Sequence, residues 1–160
     1  MELWDAYDGA FRKIGGVKLV RGEEVPKGIY HLTCDVLVRH RDGTYLLMKR
    51  DPRKVYGGWW EASAGGAALA GETPLMCAVR ELQEETGLSG AMTELGTVRT
   101  ADTFYAEFLC ETDADKDSVI LQEGETVDYR WEPAKTVAAM PADELVTHRM
   151  QQYIAELRRK

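Results

Sequence analysis

The stretch from Gly65 to Leu88 constrains this chain more than any other part of it. Thr73-Pro74 has the chemistry of a helix start, since proline is tolerated in the first turn where its missing N–H is not needed. Gly87 suits a left-handed cap at the other end. Between them, Arg80-Glu81-Leu82-Gln83-Glu84-Glu85 places three carboxylates within an arc of roughly 100° on a helix turning about 100° per residue. Leu75, Val79, Leu82 and Thr86 form a second arc, expected to pack on a sheet while the carboxylates face a cleft. Like charges crowded at i,i+4 cost a few tenths of a kcal/mol per pair. A divalent metal carrying a phosphate group is the simplest offset.

The surrounding residues support that assignment. Arg80 stands at i−4 from Glu84 and can brace a carboxylate. Gly65-Gly66 permits close backbone approach and offers carbonyl oxygens, hard ligands that suit Mg²⁺. Taken alone, the six residues from Arg80 to Glu85 also fit an ordinary solvated helix face.

Elsewhere the chain reads as strands around two helices. Residues 1–30 are polar and glycine-bearing and predict an N-terminal hairpin followed by a loop. His31 to Val38 and Tyr45 to Lys49 read as paired strands joined at Asp42-Gly43, a strong turn signal. Leu95 to Cys110 contains further strand, Val127 to Trp131 another, and Pro141 to Lys160 a closing helix with one apolar stripe. That order predicts an α+β or αβα sandwich on a central mixed sheet, built as a single domain over residues 1–160.

A net charge of −7 disfavours binding to duplex nucleic acid or to anionic membranes. A small anionic substrate remains compatible with it if metal ions and local cations invert the field. Cys34, Cys77 and Cys110 lack metal-ligand or disulfide spacing and read as buried thiols. His31, His40 and His148 read as structural or exposed. The N-terminal residues lack a basic and an apolar signal region, and no apolar run is long enough to span a membrane. Cytoplasm is therefore the expected compartment.

Gly66, Glu72, Arg80-Glu81-Leu82, Glu84-Glu85 and Gly87-Leu88 match every fixed position of the Nudix box, so the chain resembles the Nudix hydrolase family. The resemblance implies the Nudix αβα sandwich and a Mg²⁺- or Mn²⁺-dependent hydrolase. Its substrate would be a small molecule in which a nucleoside diphosphate is linked to a further group, X. It also implies that Glu81, Glu84 and Glu85 bind metal, with the Gly66 backbone as a further ligand, and that Glu72 and Arg80 brace the site. The general base would be Glu81 or a carboxylate outside the box, with Glu125 favoured over Glu123. A homodimer is left open.

Trp4-Asp5, Arg21-Gly22-Glu23, Tyr30-His31-Leu32 and Trp60 through Glu72 look like a branch near the isopentenyl diphosphate isomerases. Those enzymes carry a cysteine and a histidine where this chain has Gly65 and Ala67, so isomerase activity is disfavoured. A non-catalytic nucleotide-sensing module is the third reading. For substrate contacts, Arg50, Arg53 and Lys54 are candidates for phosphate, and Tyr56, Trp59 and Trp60 for base stacking. Each also has a plain reading as a solvated or packing residue.

Overall fold

The computed structural model describes residues 1–159. Strands β1 (Leu3–Tyr7) and β2 (Lys13–Val20) form the expected antiparallel N-terminal hairpin. A seven-stranded mixed sheet holds β3 (His31–His40), β4 (Thr44–Arg50), β5 (Trp60–Glu61), β6 (Ala64–Ala67), β7 (Ala91–Arg99), β8 (Thr103–Thr112) and β9 (Thr126–Pro133). Its β3–β8 pair is parallel, and the other ladders are antiparallel.

The β3–β4 hairpin turns at Asp42-Gly43, where Asp42 Oδ1 accepts from the Thr44 backbone N–H at 2.9 Å. Beyond the turn the two strands diverge. β5 pairs with β4 and β6 with β3, so the chain crosses the fork between them. Ser63 sits fully buried in that fork, accepting from Val38 N at 3.0 Å and donating to Leu46 O at 2.7 Å.

Period-two alternation along β3 and β8 divides the core. Leu32, Cys34, Val36, Phe104, Ala106 and Phe108 point to one face and meet Cys77, Ala78 and Leu82 of α1 (Pro74–Thr86). Leu37 and Leu109 point to the other. There they meet Val137 of α2 (Ala134–Ala138) and Met150 and Ile154 of α3 (His148–Arg159). The result is helices on both sides of one sheet, as expected.

Two details differ from the sequence expectation. Leu75 and Val79 are half exposed, and the packed arc of α1 is Cys77, Ala78, Leu82, Glu85 and Thr86. The seated face is therefore rotated toward the carboxylates, by roughly 80° at 100° per residue. The closing helix begins at His148 rather than Pro141. Residues before it pair with Trp60 instead (Trp60 N to Glu144 O 2.8 Å, Val146 N to Trp60 O 2.9 Å), which draws Leu145 into the core. The expected helix end at Lys160 lies outside the described residues. All three cysteines are free and buried, and no described helix is long and apolar enough to cross a membrane.

The N-terminal hairpin is tied to the loop before α1. Ala70 N donates to Leu3 O at 2.8 Å, and Gly71 N donates to the buried Asp5 carboxylate at 2.7 Å. Burial opposes ionisation of Asp5, but hydrogen bonds from Lys18, Gly71 and Lys13 outweigh it and hold the carboxyl at about 2.

Candidate active site

The N-terminus of α1 is fixed by Thr73, whose Oγ1 accepts from Met76 N at 3.1 Å. Its C-terminus is fixed by Gly87 at φ 74°, whose N–H bonds Gln83 O. These caps set the register that aims the carboxylates. Arg80 then organises them. Its Nε and Nη2 take both oxygens of Glu72, at 2.7 and 2.8 Å. Nη2 also donates to Ala67 O at 3.1 Å, and Nη1 reaches Glu81 Oε1 at 2.9 Å and Glu84 Oε2 at 3.2 Å. Glu72 Oε1 accepts from Leu69 N at 2.6 Å, which closes the loop onto the helix. One guanidinium thus ties Glu72, Glu81 and Glu84 together.

Gly65 and Gly66 occupy opposite faces of β6. Gly66 pairs with Cys34 and looks toward α1, where an added Cβ would lie 2.4 Å from Glu81 Oε1. Gly65 pairs with Asp35 and looks the other way, where a Cβ would lie 2.4 Å from Asp35 Oδ1. Two cavities meet at this pair of glycines.

The first, about 340 Å³, is lined by Glu81, Glu84, Glu85, Lys54 and Glu125, with Glu2 and Arg21 of the hairpin at its side. Glu85 is 6% exposed, and burial, with Glu61, Glu81 and Glu125 adding to it, pushes its carboxyl up to about 9. Burial likewise raises Glu81, against the opposing charge of Arg80. Lys54 forms an ion pair with Glu125. Among the described residues, no three His, Cys, Asp or Glu side chains are closed around one point. The carboxylates stand side by side, and Arg80 holds one oxygen each of Glu81 and Glu84.

The other sequence candidates are distributed as follows. Arg50 pairs with Glu61 at 2.8 Å and lines the second cavity. Arg53 is held by Asp51, and Trp59 lies against Tyr56. Trp60 packs on the α3-side core with Arg130 over its ring at 4.4 Å. Arg53, Trp59 and Trp60 line neither cavity, and Glu123 does not line the carboxylate cavity as Glu125 does. Sequence reasoning passed over Glu61, Asp35, Glu107 and Arg149. Burial pushes the Asp35 carboxyl up to about 7, with the Glu107 charge adding to it. The available signal was Thr33 and Asp35, two polar residues on one parity of an otherwise apolar strand.

The NUDIX domain family model matches residues 29–156. An uncharacterized Nudix hydrolase of Listeria monocytogenes is 32% identical over 149 residues, covering 88% of this chain and 85% of the relative. One of Rhodococcus erythropolis is 36% identical over 91 residues, 56% of this chain and 48% of the relative. Among solved structures, DR0079 of Deinococcus radiodurans superposes with a TM-score of 0.77 at 18% identity, covering 97% of this chain and 98% of that one. A MutT protein of Methanosarcina mazei gives 0.64 at 21% identity, covering 86% and 97%. The family match and the Listeria relative agree with the box and the fold: this chain belongs to the Nudix hydrolase family.

Proposed function

We propose that this Nudix pyrophosphohydrolase requires a divalent metal and cleaves the diphosphate linkage of a nucleoside diphosphate derivative. One observation carries the reading. Glu85 is buried beside Glu61, Glu81 and Glu125, and Lys54 is the cation that offsets them at Glu85. Hard carboxylate oxygens in that number suit Mg²⁺ or Mn²⁺. The residues fit such an ion. Arg80 takes Oε1 of Glu81 and Oε2 of Glu84, so each keeps a second oxygen to offer. Glu85 and the Gly66 carbonyl complete the set.

A bound ion would neutralise the diphosphate and lower the pKa of water. The chain's own groups do the rest. Arg80 fixes the rotamers of Glu81 and Glu84. Glu125, oriented by Lys54, accepts the proton of the attacking water as general base, with Glu81 as the alternative. Lys54 and Arg21 line the same cavity and meet phosphate oxygens. An isomerase would need an acid at position 65, and a side chain there would run into Asp35.

The test is a substrate panel with Mg²⁺ and Mn²⁺: nucleoside triphosphates, nucleotide sugars, ADP-ribose, dinucleoside polyphosphates and prenyl diphosphates. Metal-dependent release of a monophosphate is expected, with Glu84→Gln or Glu85→Gln lowering kcat at least 100-fold in a folded protein. Full turnover by the Gln variants would refute the metal assignment. Allylic product from isopentenyl diphosphate would favour the isomerase, and absence of both Mn²⁺ binding and turnover a sensing module.

A further inference from the structure

The second cavity at the glycine pair, about 370 Å³, is within the size range of small-molecule sites. The diphosphate chemistry leaves it unused. Thr33, Asp35, Tyr105 and Glu107 line it as two parallel register pairs, Thr33 with Tyr105 and Asp35 with Glu107. One period further along, the same face carries Leu37 and Leu109. Like charges directly opposite on adjacent strands repel, so the Asp35–Glu107 pair costs stability that leucine would not.

Its hydrogen bonding is incomplete. Glu107 is 1% exposed, and its Oε1 accepts from Arg149 Nε at 2.9 Å and from the Tyr153 hydroxyl at 3.4 Å. Among the described residues Glu107 Oε2 accepts nothing, and Asp35 accepts no hydrogen bond on either oxygen, with Arg149 Nη2 at 3.5 Å. Both carboxylates face the cavity, with 17% of the Asp35 side chain exposed to it, so their unpaired oxygens are open to a donor that enters it.

We propose that this cavity binds a polyhydroxylated group, the X half of the substrate, with Asp35 and Glu107 accepting from its hydroxyls and Arg149 donating to them. The proposal rests on the neighbouring carboxylate cavity being the diphosphate site, because Gly65 and Gly66 line both. The row Asp35, Arg149, Glu107 presents acceptor, donor, acceptor. A hydroxyl both donates and accepts, so neighbouring hydroxyls complete that row. A nucleobase would find the Tyr105 ring, the aromatic face of this cavity, already covered by Arg149 at 4.7 Å. A prenyl chain would bury both carboxylates without donors.

The test is an NMR titration of the metal-free protein with glucose 1-phosphate, following the Gly65 amide and the Arg149 Nε–H. Both signals are expected to shift in the wild type, and Asp35→Asn to bind at least tenfold more weakly with the rest of its spectrum preserved. Should that variant unfold, the near-isosteric Thr33→Val is expected to weaken binding at least threefold. AMP and isopentenyl phosphate should leave the Arg149 signal in place, since Arg149 lines this cavity and not the carboxylate one. No shift with glucose 1-phosphate, equal affinity in the folded variants, or a larger response to AMP would overturn the proposal. Turnover separates it from the catalytic reading. Sugar phosphate binding without metal-dependent cleavage of any diphosphate refutes only the latter. Cleavage without binding refutes only the former.

Discussion

Alanine at position 66 adds a single carbon, and the structure says what it meets. The new Cβ would lie 2.4 Å from Glu81 Oε1, 2.5 Å from Cδ and 2.7 Å from Oε2. Comfortable contact begins near 3.5 Å, so the carboxylate must retreat by about 1 Å. Glu81 is not free to do so at no cost, because Arg80 holds its Oε1 at 2.9 Å and is itself held by Glu72. The obstacle is nonetheless the end of a side chain rather than backbone, so the fold should survive. A stability loss of about 1–3 kcal/mol is expected from overpacking, with about 2–4 °C of Tm per kcal/mol in a protein of this size. Activity should suffer more, since a misplacement of about 1 Å can cost about 100-fold. The assay pairs kcat on the best panel substrate with Mn²⁺ binding by EPR and a thermal melt. In a Glu81→Gln background Gly66→Ala should add little, because both act on the same carboxylate. Wild-type turnover by Gly66→Ala, or full additivity with Glu81→Gln, would refute the claim that Gly66 exists to seat Glu81.

Arg80→Lys replaces a planar fork with one point donor. It should lower kcat at least tenfold and Tm by several degrees, and unchanged kinetics would show that the Arg80 bonds are incidental. Asp5→Asn tests the hairpin anchor through pH. The Asp5 carboxyl is depressed from 3.8 to about 2 in the folded protein, so its stabilisation is present above about 4 and lost as pH falls through about 2. That is at most about 2 kcal/mol at neutral pH. Chemical denaturation should therefore show the variant weaker at pH 7 and converging on wild type near pH 2. Gly65→Cys should yield no allylic product from isopentenyl diphosphate and should destabilise the fold, because its Cβ would press on Asp35 Oδ1 and, at 2.9 Å, on the Cys34 carbonyl. Isomerase activity in that variant would remove the steric case against the isomerase.

The parts of the molecule governed by local chemistry were legible in the sequence. Thr73, Pro74 and Gly87 bound the helix, Asp42-Gly43 turns the hairpin, and the spacing from Gly66 to Leu88 identifies the family. What could not be read is set by long-range register. Asp35 meets Glu107, 72 residues later, because β3 and β8 run parallel in that register. Lys54 meets Glu125 only through the β4–β9 ladder and the loops at its end. The seated face of α1 was misjudged for a related reason. The two-glycine strand beneath the helix lets it come close over Cys77 and Ala78, a fit decided by the partner surface rather than by hydrophobicity within the helix. The early closing helix failed because Glu144 and Val146 bond the Trp60 backbone instead of each other's turn.

The alternation along β3 and β8 has an evolutionary consequence. Even-numbered positions on these strands seat α1, while 33, 35, 105 and 107 line the neighbouring cavity. Drift at the odd positions can therefore reshape that cavity without disturbing the helix seat, provided Gly65 and Gly66 persist between them. A lineage built this way could refashion one cavity by changing side chains on one parity of two strands while inheriting the box helix and its seat intact.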